Sequence, residues 1–204
     1  MLFRSIAAEQ AEYGGDNVNV IESLLLLGNL QVDIERVPDA IATYRHALDA
    51  STRSHGVGTE TIASLHANLG SALAASDDVA AALDEFERAI VVYEHEHAAS
   101  QYEIAHVHAE HADALYRLGR FAPAEEELRA ALAVYAVELP AEHRYRVLAN
   151  AALAQILAAR GAHDEALELL RQTLPALDRV TGAKKEGVDA HALFERLSAH
   201  AHNA

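Results

Sequence analysis

His106, Glu110 and Asp113 follow one another at spacings of four and three, so a helix of about 3.6 residues per turn stacks their side chains on one face. An imidazole beside two carboxylates has the make-up of a metal site or of a general acid/base pair. Glu103 and Arg117 extend this ionisable stripe at its two ends. The same spacing also serves simply to support a helix through charge pairs, and Arg117 neutralises Asp113 within the row. A second group, His95-Glu96-His97, carries two imidazoles, but it falls where a turn between helices is expected. His108 and His111 lie on the opposite, packing side of the stripe's helix and read as core histidines held by hydrogen bonds. The Glu125-Glu126-Glu127 run reads as a solvated outer face. No nucleophile elbow, phosphate-binding glycine loop or His-Glu-x-x-His pair is present. With no Cys, disulfides and Cys-ligated metal are excluded, and neither a resident metal nor a cofactor is expected.

The elements that position these side chains follow from composition and period. Of 204 residues, 51% are apolar, only 5% are aromatic and none is Trp. That balance suits thin, Ala-lined helix contacts better than one large core. Ala is the best helix former, and Pro, the worst, occurs only four times. No apolar run approaches the ~18 residues of a membrane span. The first residues have no basic region followed by a long apolar run, so a cytoplasmic protein without a signal peptide is expected. The net charge of -15 opposes nucleic acid and anionic membrane surfaces and favours basic or neutral partners. Protonating all 13 His would bring that charge to -2, which makes the surface potential sensitive to pH near the imidazole range. Arg far outnumbers Lys, which stands only at Lys184 and Lys185, and with the Ala content this points to a GC-rich bacterial genome.

Sliding the chain against itself by 42 residues brings five columns into one register. Gly28, Gly70, Ala112 and Ala154 form the first column, and Ala40, Ala82, Ala124 and Ala166 the second. Tyr44, Phe86, Leu128 and Leu170 follow, then Ala47, Ala89, Ala131 and Thr173, then Leu48, Ile90, Leu132 and Leu174. A fixed period in this range marks a repeat architecture. Each unit reads as two helices with a short break between them, at Glu35–Asp39, Asp77-Asp78, Gly119–Phe121 and Gly161–Asp164. Pro38 and Pro123 sit in first helical turns, where no intrahelical N–H is lost.

These columns resemble the tetratricopeptide repeat family. Leu118-Gly119-Arg120-Phe121-Ala122-Pro123-Ala124 and Arg160-Gly161-Ala162-His163-Asp164-Glu165-Ala166 look like that family's inter-helix turn, and the 42-residue period resembles the longer-helix, kinesin-light-chain-like variety. The resemblance covers essentially the whole chain. It implies an all-α fold, a right-handed superhelical solenoid of helical hairpins, in one domain. The repeats are expected at 17–58, 59–100, 101–142 and 143–183. An orphan second helix is expected at 2–14 and a capping helix, striped by Ala190, Leu193, Phe194 and Leu197, at 186–201. The orphan helix would expose an apolar face through which a homodimer could form.

In the family the first helix of each pair lines the binding groove. By helical period the groove residues are Asn29, Asp33, Asn68, Ser71, Glu103, His106, Glu110, Asp113, Arg117 and Gln155. Asn29, Ser71, Asp113 and Gln155 fall in one column, a hydrogen-bonding side chain in every repeat, suited to pinning the backbone of an extended peptide. The expected function is therefore a protein- or peptide-binding scaffold or adaptor, with a regulatory or assembly role in a bacterium. The alternative is an enzyme or metal-dependent small-molecule-binding protein built around His106, Glu110 and Asp113.

Overall fold

A computed structural model describes residues 17–96, 100–181 and 185–201. The orphan helix expected at 2–14 lies outside the described residues, as does His97. Among the described residues there are nine helices and no strand. They are α1 (Val18–Asp33), α2 (Val37–Arg53), α3 (Thr59–Ala75), α4 (Val79–Glu96), α5 (Gln101–Arg117), α6 (Phe121–Glu138), α7 (Arg144–Ala159), α8 (His163–Thr181) and α9 (Lys185–Ala201). The chain forms two compact units, Met1–Ser100 and Gln101–Ala204.

In the first unit α1 packs on α2, α2 on α3 and α3 on α4, and α1 also touches α3. In the second, α5 through α9 pack in the same successive way, α5 touches α7, and α9 rests on α8 and along α7. Each second helix buries its Ala column: Ala40, Ala82, Ala124 and Ala166 have no exposed surface. Small side chains at these positions bring the helix axes close. The larger column of Tyr44, Phe86, Leu128 and Leu170 is equally enclosed, and the Tyr44 and Phe86 rings lie over Gly28 and Gly70 of the preceding helix. Of the stripe on α9, Ala190, Leu193 and Leu197 are buried.

Every hairpin turns by the same hydrogen-bonded device. After α1, Arg36 N–H donates to the Gln31 carbonyl and Glu35 N–H to the Val32 carbonyl. Asp78 to Leu73, Arg120 to Leu115 and Ala162 to Leu157 repeat the longer bond. This is the Schellman arrangement, which satisfies the last carbonyls of a helix and requires one left-handed residue. That residue is Gly119 (φ 74°) or Gly161 (φ 84°) in the second unit, but Glu35 (φ 60°) and Asp77 (φ 68°) in the first. A side chain at positive φ costs roughly 1–2 kcal/mol, partly offset by glycine's larger loss of backbone freedom on folding. Glu35→Gly and Asp77→Gly are each expected to stabilise the chain by about 0.5–1 kcal/mol. Urea unfolding midpoints check this, with Gly119→Asp moving the other way.

Candidate functional site

The first helices present the residues that sequence period assigns to binding, and the structure treats them unequally. In the first unit, Asn29 on α1 is exposed, and its Oδ1 accepts from the Tyr44 hydroxyl (2.7 Å) and from Asn68 Nδ2 on α3 (3.0 Å). Desolvation, then the nearby Asp33 carboxylate, raise the Tyr44 hydroxyl above its ordinary range, so it stays a donor to Asn29. The structure thus joins Asn29 to Asn68 rather than to its own column-mate Ser71, whose hydroxyl donates back to the Ala67 carbonyl at 3.0 Å. Asp33 is exposed at the end of α1.

In the second unit, His106 is 38% exposed and its Nε2 stands 3.8 Å from Glu110 Oε1, a charge contact rather than a hydrogen bond. Asp113 is open to water, yet desolvation by the protein around it raises its carboxyl above the ordinary aspartate range, and Arg117 offsets part of that rise. Glu103 is half-buried. Among the described residues no three His, Asp or Glu side chains gather as metal ligands would, so His106, Glu110 and Asp113 share a face without closing into a site. His95 is exposed in the last turn of α4 instead of in a loop.

Gln155 lines an open cavity of about 770 Å³ together with Tyr116, His163, Asp189, Leu193 and Arg196. Four elements converge there: the ends of α5 and α7, the start of α8 and one side of α9. Its lining mixes apolar wall with donors, acceptors and one charge of each sign, the make-up of a ligand pocket.

Two features escaped sequence reasoning. The first is an aromatic cluster. His106 packs on Tyr145 (centroids 4.9 Å apart) and stacks on Tyr102 (6.5 Å). Tyr102 lies 6.0 Å from Tyr135 and 6.3 Å from Tyr145, and His143 lies 5.5 Å from Tyr145. The five rings come from three stretches of the chain, the start of α5, the end of α6 and the start of α7, so no local spacing announces the cluster. The second is ionic. The Glu125-Glu126-Glu127 run is not a solvated face. Glu125 is 5% exposed and paired with Arg129 and Arg160. Glu127 meets His108 Nδ1 at 2.5 Å and His111 Nδ1 at 3.1 Å, and only Glu126 is exposed. Desolvation alone would raise the Glu127 carboxyl, but the hydrogen bonds from His108 and His111 and the attraction of their rings lower it to about 2. His66 and Glu85, each 42 residues earlier, form the same pair at 2.6 Å in the first unit.

Residues 151–183 match the model of the tetratricopeptide repeat family. The fold is that of tetratricopeptide-repeat proteins of the kinesin-light-chain-like kind. An array of nearly identical, kinesin-light-chain-like repeats from Podosopora anserina superposes with a TM-score of 0.69 at 19% identity, over 89% of this chain and 86% of that one. YrrB, a tetratricopeptide protein with an unusual peptide-binding site, gives a TM-score of 0.63 at 18% identity, over 97% and 84%. The Rap conjugation gene regulator of the plasmid pLS20, solved in complex with a Phr peptide, gives 0.62 at 18% identity, over 90% of this chain and 53% of that one. No curated protein matches the chain by sequence.

Proposed function

We propose that this protein is a peptide- or protein-binding scaffold that holds an extended partner segment against its first-helix faces. The observation that carries the reading is the open cavity of the second unit, in which the expected groove residue Gln155 stands beside Tyr116, His163, Asp189 and Arg196. An extended chain needs alternating donors and acceptors for its backbone and recesses for its side chains. Gln155 offers both hydrogen-bonding roles. Peptide binding by YrrB and by the Rap regulator supports the reading. The acidic charge of -15 favours a partner with basic residues, and the role we assign is regulatory or assembly work in the bacterial cytoplasm. No helix of the described residues is long and apolar enough to cross a membrane.

The test is selection from a random peptide library on the immobilised full chain. Peptides that compete with one another for one site are the expected outcome. Gln155→Ala is expected to weaken such a peptide by about 1 kcal/mol, the net worth of a typical hydrogen bond. Isothermal titration measures the loss. Unchanged affinity would place the site elsewhere.

A further inference from the structure

Tyr93 and Tyr135 occupy the same position of successive repeats, 42 residues apart, near the ends of α4 and α6. Both are buried, at 5% and 1% exposure. The Tyr93 hydroxyl is hydrogen-bonded to Ser64, 3.1 Å away on the preceding helix. The residue corresponding to Ser64 one repeat later is His106, which turns instead to the rings of Tyr102 and Tyr145. The Tyr135 hydroxyl consequently has no hydrogen-bond partner among the described residues. A buried hydroxyl left so is destabilising, and such groups in native structures call for an explanation.

The surroundings of that hydroxyl share one chemical character. The Tyr102 and Tyr145 rings stand 6.3 Å apart, tilted by 50°, and Tyr145 keeps 38% of its surface open. The Glu110 carboxylate is close enough to act electrostatically on the Tyr135 hydroxyl, as are Tyr102 and Tyr145. Desolvation and these neighbours hold the Tyr135 hydroxyl protonated far above ordinary pH, so it is neutral, with lone pairs to accept hydrogen bonds. The arginines that flank Tyr145 are committed elsewhere: Arg144 donates to the Val180 carbonyl and Arg146 to the Leu139 carbonyl. Aromatic faces, a carboxylate and an accepting hydroxyl together suit a cation. The two rings are tilted 50° to one another, so the exposed Tyr145 face is open to a planar cation from solvent.

We propose that the cleft formed by Tyr102, Tyr145, Tyr135 and Glu110 receives a cationic side chain, arginine above all, of the bound partner segment. The guanidinium packs on the open Tyr145 ring, donates to the Tyr135 hydroxyl and faces the Glu110 carboxylate. Arginine fits better than lysine because its flat group stacks on an aromatic face while its N–H groups remain free to donate. This inference rests on the reading of the first-helix faces as a peptide site and names what one part of that site selects.

The experiment takes peptides selected from the random library by the full chain and resynthesises one with citrulline, the neutral isostere, in place of arginine. The inference expects selected peptides to share a basic position. It expects the citrulline form to bind the wild-type chain about tenfold more weakly, and Glu110→Gln and Tyr145→Ala to remove most of that difference. Both positions are partly exposed, so the variants fold. Tyr135→Phe supplies a second readout: it raises the melting temperature of the free protein by removing the unpartnered hydroxyl, yet weakens the arginine peptide. Peptides that compete for one site without a basic position, or a citrulline form that binds equally well, overturn the inference and leave the peptide-binding function standing. A library that yields no peptide overturns both.

Discussion

Glu127→Ala is expected to destabilise the second unit by about 2–4 kcal/mol, more than its counterpart Glu85→Ala costs the first. Glu127 serves two imidazoles, at 2.5 and 3.1 Å, and His111 is among the few polar residues of the core, with 7% of its surface exposed. Removing the carboxylate strands both rings. Glu85 serves His66 and the exposed Arg88, so its loss strands one ring that retains some water and one side chain that returns to solvent. The same arrangement sets an acid limit. The Glu127 carboxyl is lowered to about 2 in the folded chain, against about 4.5 when unfolded. A depressed folded value means that the unfolded chain takes up the proton more readily. The stabilisation is therefore complete above about pH 4.5 and disappears as pH falls toward 2, amounting to about 3 kcal/mol at most. Urea midpoints across this range should fall steeply for the wild-type chain. In Glu127→Gln they should fall less steeply. Parallel curves would mean that another carboxylate governs acid unfolding.

Gly70→Ala is expected to cost about 1–2 kcal/mol, against the usual rule for helices. Exposed Gly-to-Ala changes within a helix gain up to about 1 kcal/mol. Here a Cβ at position 70 would stand 2.7 Å from Phe86 Cε1 and 2.8 Å from Cδ1. The Phe86 ring is 1% exposed and has nowhere to withdraw, so overpacking of roughly 2–3 kcal/mol outweighs the propensity gain. Gly28 meets the Tyr44 ring in the same way. The register carries its own control, since the repeats with Ala112 and Ala154 in the glycine column have Leu128 and Leu170 in the ring column. Phe86→Leu in the Gly70→Ala background should therefore recover most of the loss. Phe86→Leu alone should destabilise by leaving a void. A double-mutant cycle in thermal unfolding measures the coupling, and additive losses would refute the ring-over-glycine contact as its cause.

This pairing shows why the fold was legible. A small residue opposite a ring, or Ala opposite Leu, is a volume rule that the 42-residue columns display without coordinates. Helix content, hairpin order and the small-residue contacts depend on side-chain size and on spacing along one helix, both of which a sequence states directly. Even the left-handed residues fall at the breaks read from sequence, Glu35, Asp77, Gly119 and Gly161, although only two of them carry the glycine that marks such a position.

The site residues divided differently. Period alone placed Asn29, Asn68, Asp113 and Gln155 on the first helices, because period decides which residues share a helix face. It could not say that Asn68 reaches Asn29 while Ser71 bends back to Ala67, since that depends on side-chain length across a helix pair. It misread Glu125 and Glu127 as solvent-facing because their partners, Arg160, His108 and His111, come from other helices. The substitution of His106 for Ser64's counterpart was visible in the register. That it leaves the Tyr135 hydroxyl unpartnered among the described residues, beneath Tyr102 and Tyr145, was decided only by tertiary packing. The ionisable stripe of His106, Glu110 and Asp113, the first feature of the sequence to suggest chemistry, lines one face of α5 as expected. The Tyr135 and Tyr145 rings beside it come from α6 and α7, and spacing along one helix cannot announce neighbours from other helices.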